Sequence, residues 1–250
     1  MPDNGRVETR VENGVATINF YHPKGNSLPA SVLAGLAAAV TEAGEDAAAR
    51  VIVLRSEGTG AFCAGASFSE LQAISDASSG KNFFLGFANL ILAMIRSPKF
   101  VIALVQGKTV GGGVGVIAAS DYVIATNAAS VRLSELALGI GPFVVGPVIE
   151  RKIGRAAFSA LAVDAGWRDA AWATTHGLFS SVHDSLDAVD AEATELAARL
   201  AASNPEAMSR MKKIFWEGTE EWEELLSDRA ATSGKLLLSD FARKAITSSK

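Results

Sequence analysis

Gln106-Gly107-Lys108-Thr109-Val110-Gly111-Gly112-Gly113-Val114-Gly115-Val116-Ile117-Ala118-Ala119-Ser120 is the stretch on which the fold turns. Residues 100–105 before it and 122–126 after it are short β-prone runs, and only a short helix from the glycines to Ser120 fits between them. Strand, crossover helix and strand imply right-handed α/β units with a sheet buried on both faces. Gly113-Val114-Gly115-Val116-Ile117-Ala118 also fits the dinucleotide pattern G-x-G-x-x-A. Its surroundings speak against that use. Gln106 to Val110 separates the strand from the glycines, the helix has only about two turns, and the next strand ends at Thr126-Asn127 without an acid for a ribose. Glu135 lies past that strand. A phosphate loop would need Gly-Lys-Ser/Thr after the glycines, which is missing. Two readings stay open: glycines that allow close helix packing, or a backbone that approaches an anion with the unpaired N–H groups of a helix start.

A second loop of small residues lies upstream. Gly60-Ala61-Phe62-Cys63-Ala64-Gly65-Ala66-Ser67-Phe68-Ser69-Glu70-Leu71 follows the apolar strand at 51–54 and leads toward a helix. Two backbone donors aimed at one oxygen form an oxyanion hole, and losing one costs about 2.7–4 kcal/mol of transition-state stabilisation. Residues 7–11 and 15–20 pair as a hairpin across Glu12-Asn13-Gly14, because Asn-Gly tolerates positive φ. Residues 29–40 are Ala/Leu-rich and helical, and a helix at 85–95 is stopped by Ser97-Pro98. From about Asp187 the chain turns helical, with Leu196, Leu200, Met208, Met211, Ile214 and Phe215 near helical spacing. Asn204-Pro205 divides two of these helices, and Trp222, Leu225 and Leu226 mark another. The division that follows is an α/β core over residues 1–186, carrying the site, and a helical C-terminal segment over 187–250.

The chain has 250 residues, about half of them apolar, enough for a substantial core. Its apolar stretches stop short of the roughly 18 residues that a membrane span needs. Met1-Pro2-Asp3-Asn4-Gly5-Arg6 has neither the basic head nor the apolar run of a secretory signal, so a cytoplasmic protein is expected. A net charge of −4 with both signs interspersed argues against a nucleic-acid or membrane surface. Cys63 is alone, which leaves no internal disulfide, and His22, His176 and His183 lack metal-ligand spacing, so no metal is expected.

Ala61-Phe62-Cys63-Ala64-Gly65-Ala66, then Gln106-Gly107 with Gly111-Gly112-Gly113, then Ser134-Glu135 with Leu138-Gly139, resemble the ordered signature of the crotonase (enoyl-CoA hydratase/isomerase) superfamily. Pro23-Lys24-Gly25-Asn26-Ser27-Leu28 is similar to that family's N-terminal CoA-contacting loop. Gly154-Arg155-Ala156-Ala157 resembles the stretch after the active site. The resemblance implies a crotonase-type (ClpP/crotonase-like) α/β spiral of ββα units with a helical C-terminal segment. It also implies an acyl-CoA thioester substrate, no cofactor other than the coenzyme A of that substrate, and a homotrimer or homohexamer with C-terminal helices at subunit contacts. Carried over by position, the oxyanion donors are the amides of Ala66 and Gly112. Lys24, Ser27, Ala64, Phe68, Gly111 and Phe143 make up the substrate and CoA contacts. Ser67 stands where the family usually has Asp, a departure that bears on helix start or adenine contacts.

Hydratases of this family use two glutamates. The first belongs where this chain has Gly115, and the second where it has Glu135. A single carboxylate can still take a proton from one carbon of an enolate and return it to another, as the family's 3-enoyl-CoA to 2-enoyl-CoA isomerases do. An isomerase-like proton shuttle on Glu135 is therefore the first expectation. A hydratase or dehydratase running on one glutamate is the second, and a non-catalytic acyl-CoA binder the third. Glu135 needs a raised pKa for this work, and Leu133, Leu136, Leu138 and Phe143 are the expected apolar surroundings. The remaining polar and aromatic residues read as structural: Cys63, Trp167 and Trp172 as packing, Asp121 as a turn or capping group, and Glu220 to Glu224 as a solvated helix face.

Overall fold

The computed structural model describes residues 5–248. Strands β1 (Arg6–Glu12) and β2 (Val15–Tyr21) form the antiparallel hairpin, turning at Asn13 (φ 50°) and Gly14 (φ 80°). β2 then pairs in parallel with β3 (Val51–Ser56), β3 with β4 (Val101–Val105), and β4 with a strand at Tyr122–Thr126. That strand is β6, because β5 (Thr109–Val110) intervenes and pairs with β7 (Ser130–Arg132) in a separate small sheet. β8 (Arg168–Asp169) joins β7 there, and β9 (Ser181–His183) closes the large sheet against β6.

Alternate residues of each central strand face opposite layers. Ile52 and Leu54 pack with Leu33, Leu36 and Val40 of helix α1 (Ala30–Glu45), while Val51 and Val53 pack with Val189, Ala193 and Ala197. After α1 come α2 (Phe68–Ala73), α3 (Ala77–Arg96), α4 (Gly112–Ala119), α5 (Gly146–Asp164) and α6 (Ala170–Thr175). Val189, Ala193 and Ala197 belong to α7 (Leu186–Ala201), where the helical C-terminal segment begins. It continues as α8 (Pro205–Phe215), capped by Asn204, then α9 (Trp222–Leu237) and α10 (Asp240–Ser248). No helix among the described residues is long and apolar enough to cross a membrane.

Some expectations need correction. The helix expected at 85–95 begins at Ala77, where Asp76 accepts hydrogen bonds from the amides of Ser78 and Ser79. This N-cap outweighs the poor helix propensity of Ala77-Ser78-Ser79-Gly80. Asp121 is more than a turn residue. It accepts a hydrogen bond from the Val101 amide at 2.7 Å and forms a buried ion pair with Lys212 of α8 at 2.8 Å. Lys212 also donates to the Lys99 carbonyl at 2.7 Å, and Lys152 donates to the Ser120 carbonyl at 2.9 Å. This ionic cluster ties the end of α4 and the start of β6 to α5 and α8. Removing one partner strands the other charge away from water. Lys212→Ala is expected to lower stability by about 3–5 kcal/mol in urea unfolding.

Candidate active site

Each functional group is set by a local backbone requirement. Leu28 and Ala66 form a parallel bridge in which the Leu28 amide donates to the Gly65 carbonyl at 2.8 Å and the Ser67 amide to the Leu28 carbonyl at 3.3 Å. A parallel bridge of this kind uses the groups flanking Ala66, so the N–H of Ala66 itself points away from Leu28, and Ala66 lines the cavity. Gly65 makes the turn possible at φ 89°, where a Cβ would stand 3.2 Å from the Val110 carbonyl oxygen. Gly112 opens α4, so its amide is one of the first-turn donors without an intrahelical partner. Gly111 before it sits at φ 54°, and its own amide donates to the Arg132 carbonyl at 2.8 Å.

Glu135 enters from a tight turn after β7. The amides of Leu138, Ile140 and Gly141 all donate to its main-chain carbonyl, at 3.1, 3.0 and 3.2 Å. Its side chain lies against Gly111, where an added Cβ would be 3.0 Å from Oε1. The residue as a whole is half-buried, but its carboxyl is enclosed, and Oε2 has neither exposed surface nor a hydrogen-bond partner. Desolvation therefore pushes its pKa up to about 7, against a smaller downward effect of the Glu135 and Ser134 amides.

The cavity has an empty volume of about 560 Å³ including its open mouth. Ala64, Ala66, Phe68, Gly111, Gly112, Glu135 and Phe143 all line it, and Glu135 is the one ionisable side chain among the lining residues. Phe68 and Phe143 are each 36% exposed. Lys24 and Ser27 are not in its wall. Lys24 reaches the Ser69 hydroxyl at 3.4 Å, and the buried Ser27 hydroxyl lies 2.7 Å from His22 Nδ1. Of the four residues expected to desolvate Glu135, Leu138 and Phe143 line the cavity. Leu136 is 50% exposed, and Leu133 belongs to the core beneath, because the turn at 135–139 rotates them away. Phe84 and Phe87 of α3 take their place, together with Val145 and Ser233. The two phenylalanines could have been found from their helical spacing; Val145 and Ser233 carry no signal of their own.

Cys63 is fully buried, accepts the Gly65 amide at 3.3 Å, and has its thiol pushed up to about 12 by desolvation, so it stays protonated and packs. Among the described residues no histidine, cysteine and carboxylate group is arranged to hold a metal.

Residues 10–245 match the family described as Enoyl-CoA hydratase/isomerase, and the chain belongs to that family. The (7aS)-7a-methyl-1,5-dioxo-2,3,5,6,7,7a-hexahydro-1H-indene-carboxyl-CoA hydrolase of Mycobacterium tuberculosis is 32% identical over 220 residues, 84% of this chain and 83% of that protein. The mitochondrial methylglutaconyl-CoA hydratase of Homo sapiens is 32% identical over 214 residues, 82% of this chain and 61% of that protein. The crystal structure of enoyl-CoA hydratase from Bacillus halodurans superposes with a TM-score of 0.89 over 96% of this chain and 98% of its own, at 21% identity. The fold is thus the expected crotonase type with a helical C-terminal segment.

Two predictions follow from burial. A carboxyl whose pKa rises on folding contributes most to stability below its unfolded value of 4.5, and that contribution is lost as pH rises through about 7. Glu135→Gln should therefore be more stable than the parent at pH 8, by about 3 kcal/mol, and about equal to it at pH 4. At Gly115 a Cβ would stand 2.6 Å from Val145 Cγ1 and 2.7 Å from its Cβ. Even Gly115→Ala overpacks this contact and should cost about 1–3 kcal/mol in thermal or urea unfolding. A carboxylate cannot be added there without moving Val145.

Proposed function

We propose that the protein stabilises the enolate of an acyl-CoA thioester and moves a proton on it with Glu135 as the single acid–base group, as in 3-enoyl-CoA to 2-enoyl-CoA isomerisation. The carrying observation is the enclosed Glu135 carboxyl, its Oε2 without a partner and its pKa raised to about 7 by desolvation, lying against Gly111 just before α4 begins. The thioester oxygen would sit between the Ala66 and Gly112 amides. Glu135 as carboxylate takes the C2 proton, the electron pair moves onto the thioester oxygen, and the dienolate is held by the two N–H groups. Glu135, now protonated, returns the proton to C4 and the double bond is left between C2 and C3. A group with a pKa near the working pH is suited to both halves of this exchange. No cofactor beyond the substrate's own coenzyme A takes part.

A second reading is hydration or dehydration of an enoyl-CoA or 3-hydroxyacyl-CoA by the same glutamate, favoured by the hydratase among the relatives at 32% identity. Against it stands Val145, whose side chain fills the space beside Gly115 where a second carboxylate would lie. A binder without chemistry is disfavoured, because an inert pocket has no use for an enclosed carboxyl with one oxygen unpaired. We also propose a homotrimer or homohexamer. Met211, Ile214 and Phe215 of α8 are 48%, 61% and 47% exposed and form an apolar stripe suited to a subunit contact. Light scattering should give three or six chains, and a monomer at micromolar concentration would contradict assembly.

The test is a panel of 2-enoyl-, 3-enoyl- and 3-hydroxyacyl-CoA thioesters with products identified by mass. Positional isomerisation of 3-enoyl-CoA should dominate, and its rate should rise with pH through about 7 as Glu135 ionises. Glu135→Gln should lower turnover at least about 100-fold while acyl-CoA binding survives. Wild-type turnover in Glu135→Gln would contradict the mechanism.

A further inference from the structure

Helices α3 and α9 cross with their backbones in contact. A Cβ on Gly80 would stand 2.8 Å from the Gly234 Cα, and one on Gly234 would stand 2.5 Å from the Lys81 nitrogen. Only bare backbone allows this approach. It brings the preceding residue of α9, Ser233, into the wall of the cavity with Phe84 and Phe87 of α3, at 1% exposure. The Ser233 hydroxyl makes no hydrogen bond to any described residue. Its neighbour Thr232, by contrast, donates back to the Asp228 carbonyl at 3.1 Å. Ser233 Oγ is not among the fully enclosed side-chain oxygens that lack a partner, so the little surface the residue keeps presents its hydroxyl to the cavity. Alanine would serve the crossing equally well, and a hydroxyl that faces the cavity with no bond spent on the chain can donate to or accept from a group that enters it.

The chemistry of that partner is bounded by the rest of the wall. The thioester oxygen is assigned to the Ala66 and Gly112 amides, and the reacting carbons to Glu135. No lysine or arginine lines the cavity to meet a carboxylate. What remains for Ser233 is a neutral oxygen on the acyl group. We infer that Ser233 is a specificity-determining residue that hydrogen-bonds a hydroxyl or carbonyl carried on the acyl chain or ring away from the thioester, so that the substrates are oxygen-bearing acyl-CoA thioesters. This rests on the acyl-CoA reading of the cavity.

Calorimetric binding of hexanoyl-CoA against its hydroxy- and oxo-substituted forms, with the substituent walked along the chain, tests it without requiring turnover. At least one substituted thioester should bind about 2- to 10-fold tighter than hexanoyl-CoA, the worth of one neutral hydrogen bond. Ser233→Ala should erase that preference, leave the affinity for hexanoyl-CoA unchanged, and leave the melting temperature at or above the parent's. Ser233→Cys, close in size but a weak donor, should also lose the preference, which keeps the test sound if alanine disturbs the crossing. No preference at any position, or a preference that persists in Ser233→Ala, would overturn the inference. So would an equal loss of affinity for all the thioesters, because a packing role alone produces it. The same comparison made in Glu135→Gln is independent of proton transfer, so a failure of the shuttle mechanism leaves this result standing. Failure of every thioester to bind would sink the acyl-CoA reading and this inference with it.

Discussion

The glycine run at 111–115 is hemmed in by four side chains, and the site depends on that fit. Glu135 stands where Gly111 would carry a Cβ, the Phe87 ring where Gly112 would, Cys63 where Gly113 would, and Val145 where Gly115 would. Each partner comes from a different part of the chain: the turn after β7, α3, the loop after β3, and the start of α5. The run can be a helix start presenting an amide only while these four crowd it, and they can converge only because it has no side chains. Three of the four, Glu135, Phe87 and Val145, also line the cavity.

The electrostatics follow from this packing. Glu135 shares the cavity wall with Phe84, Phe87 and Val145, and no cation lines it to offset the loss of solvent, so desolvation raises the carboxyl's pKa to about 7. Burying an acid in this way lowers stability above neutral pH. Farther away, the Asp121–Lys212 pair and Lys152 fix the other end of α4. The short helix is thus constrained at both termini, by apolar contacts at the amide end and by charges at the carbonyl end.

Much of this was legible in the residues. The hairpin at Asn13-Gly14, the apolar strands and the short helix after the glycines are fixed by local patterns, and they lie where those patterns put them. Ala66, Gly112 and Glu135, picked out by the resemblance of the small-residue loops and the Ser134-Glu135 segment, line one cavity. What sequence reasoning missed depends on long-range convergence. Short strands such as Ser181–His183 gain their identity from pairing with β6, not from their own composition. Leu136 looked like a neighbour of Glu135 along the chain, but a turn residue's apolar neighbours in sequence are not its neighbours in space. Lys24 and Ser27, which the loop resemblance places at CoA contacts made mostly through backbone, lie outside the cavity wall with their side chains bonded to Ser69 and His22, so the cavity neither supports nor contradicts that placement.

Everything proposed for the site rests on one enclosed carboxyl whose pKa burial raises to about 7. A carbon-13 NMR titration of the Glu135 carboxyl, assigned by its absence from the spectrum of Glu135→Gln, measures this directly. The account predicts a midpoint near 7, well above the ordinary 4.5. A midpoint at the ordinary value would show a solvated carboxylate and contradict the account.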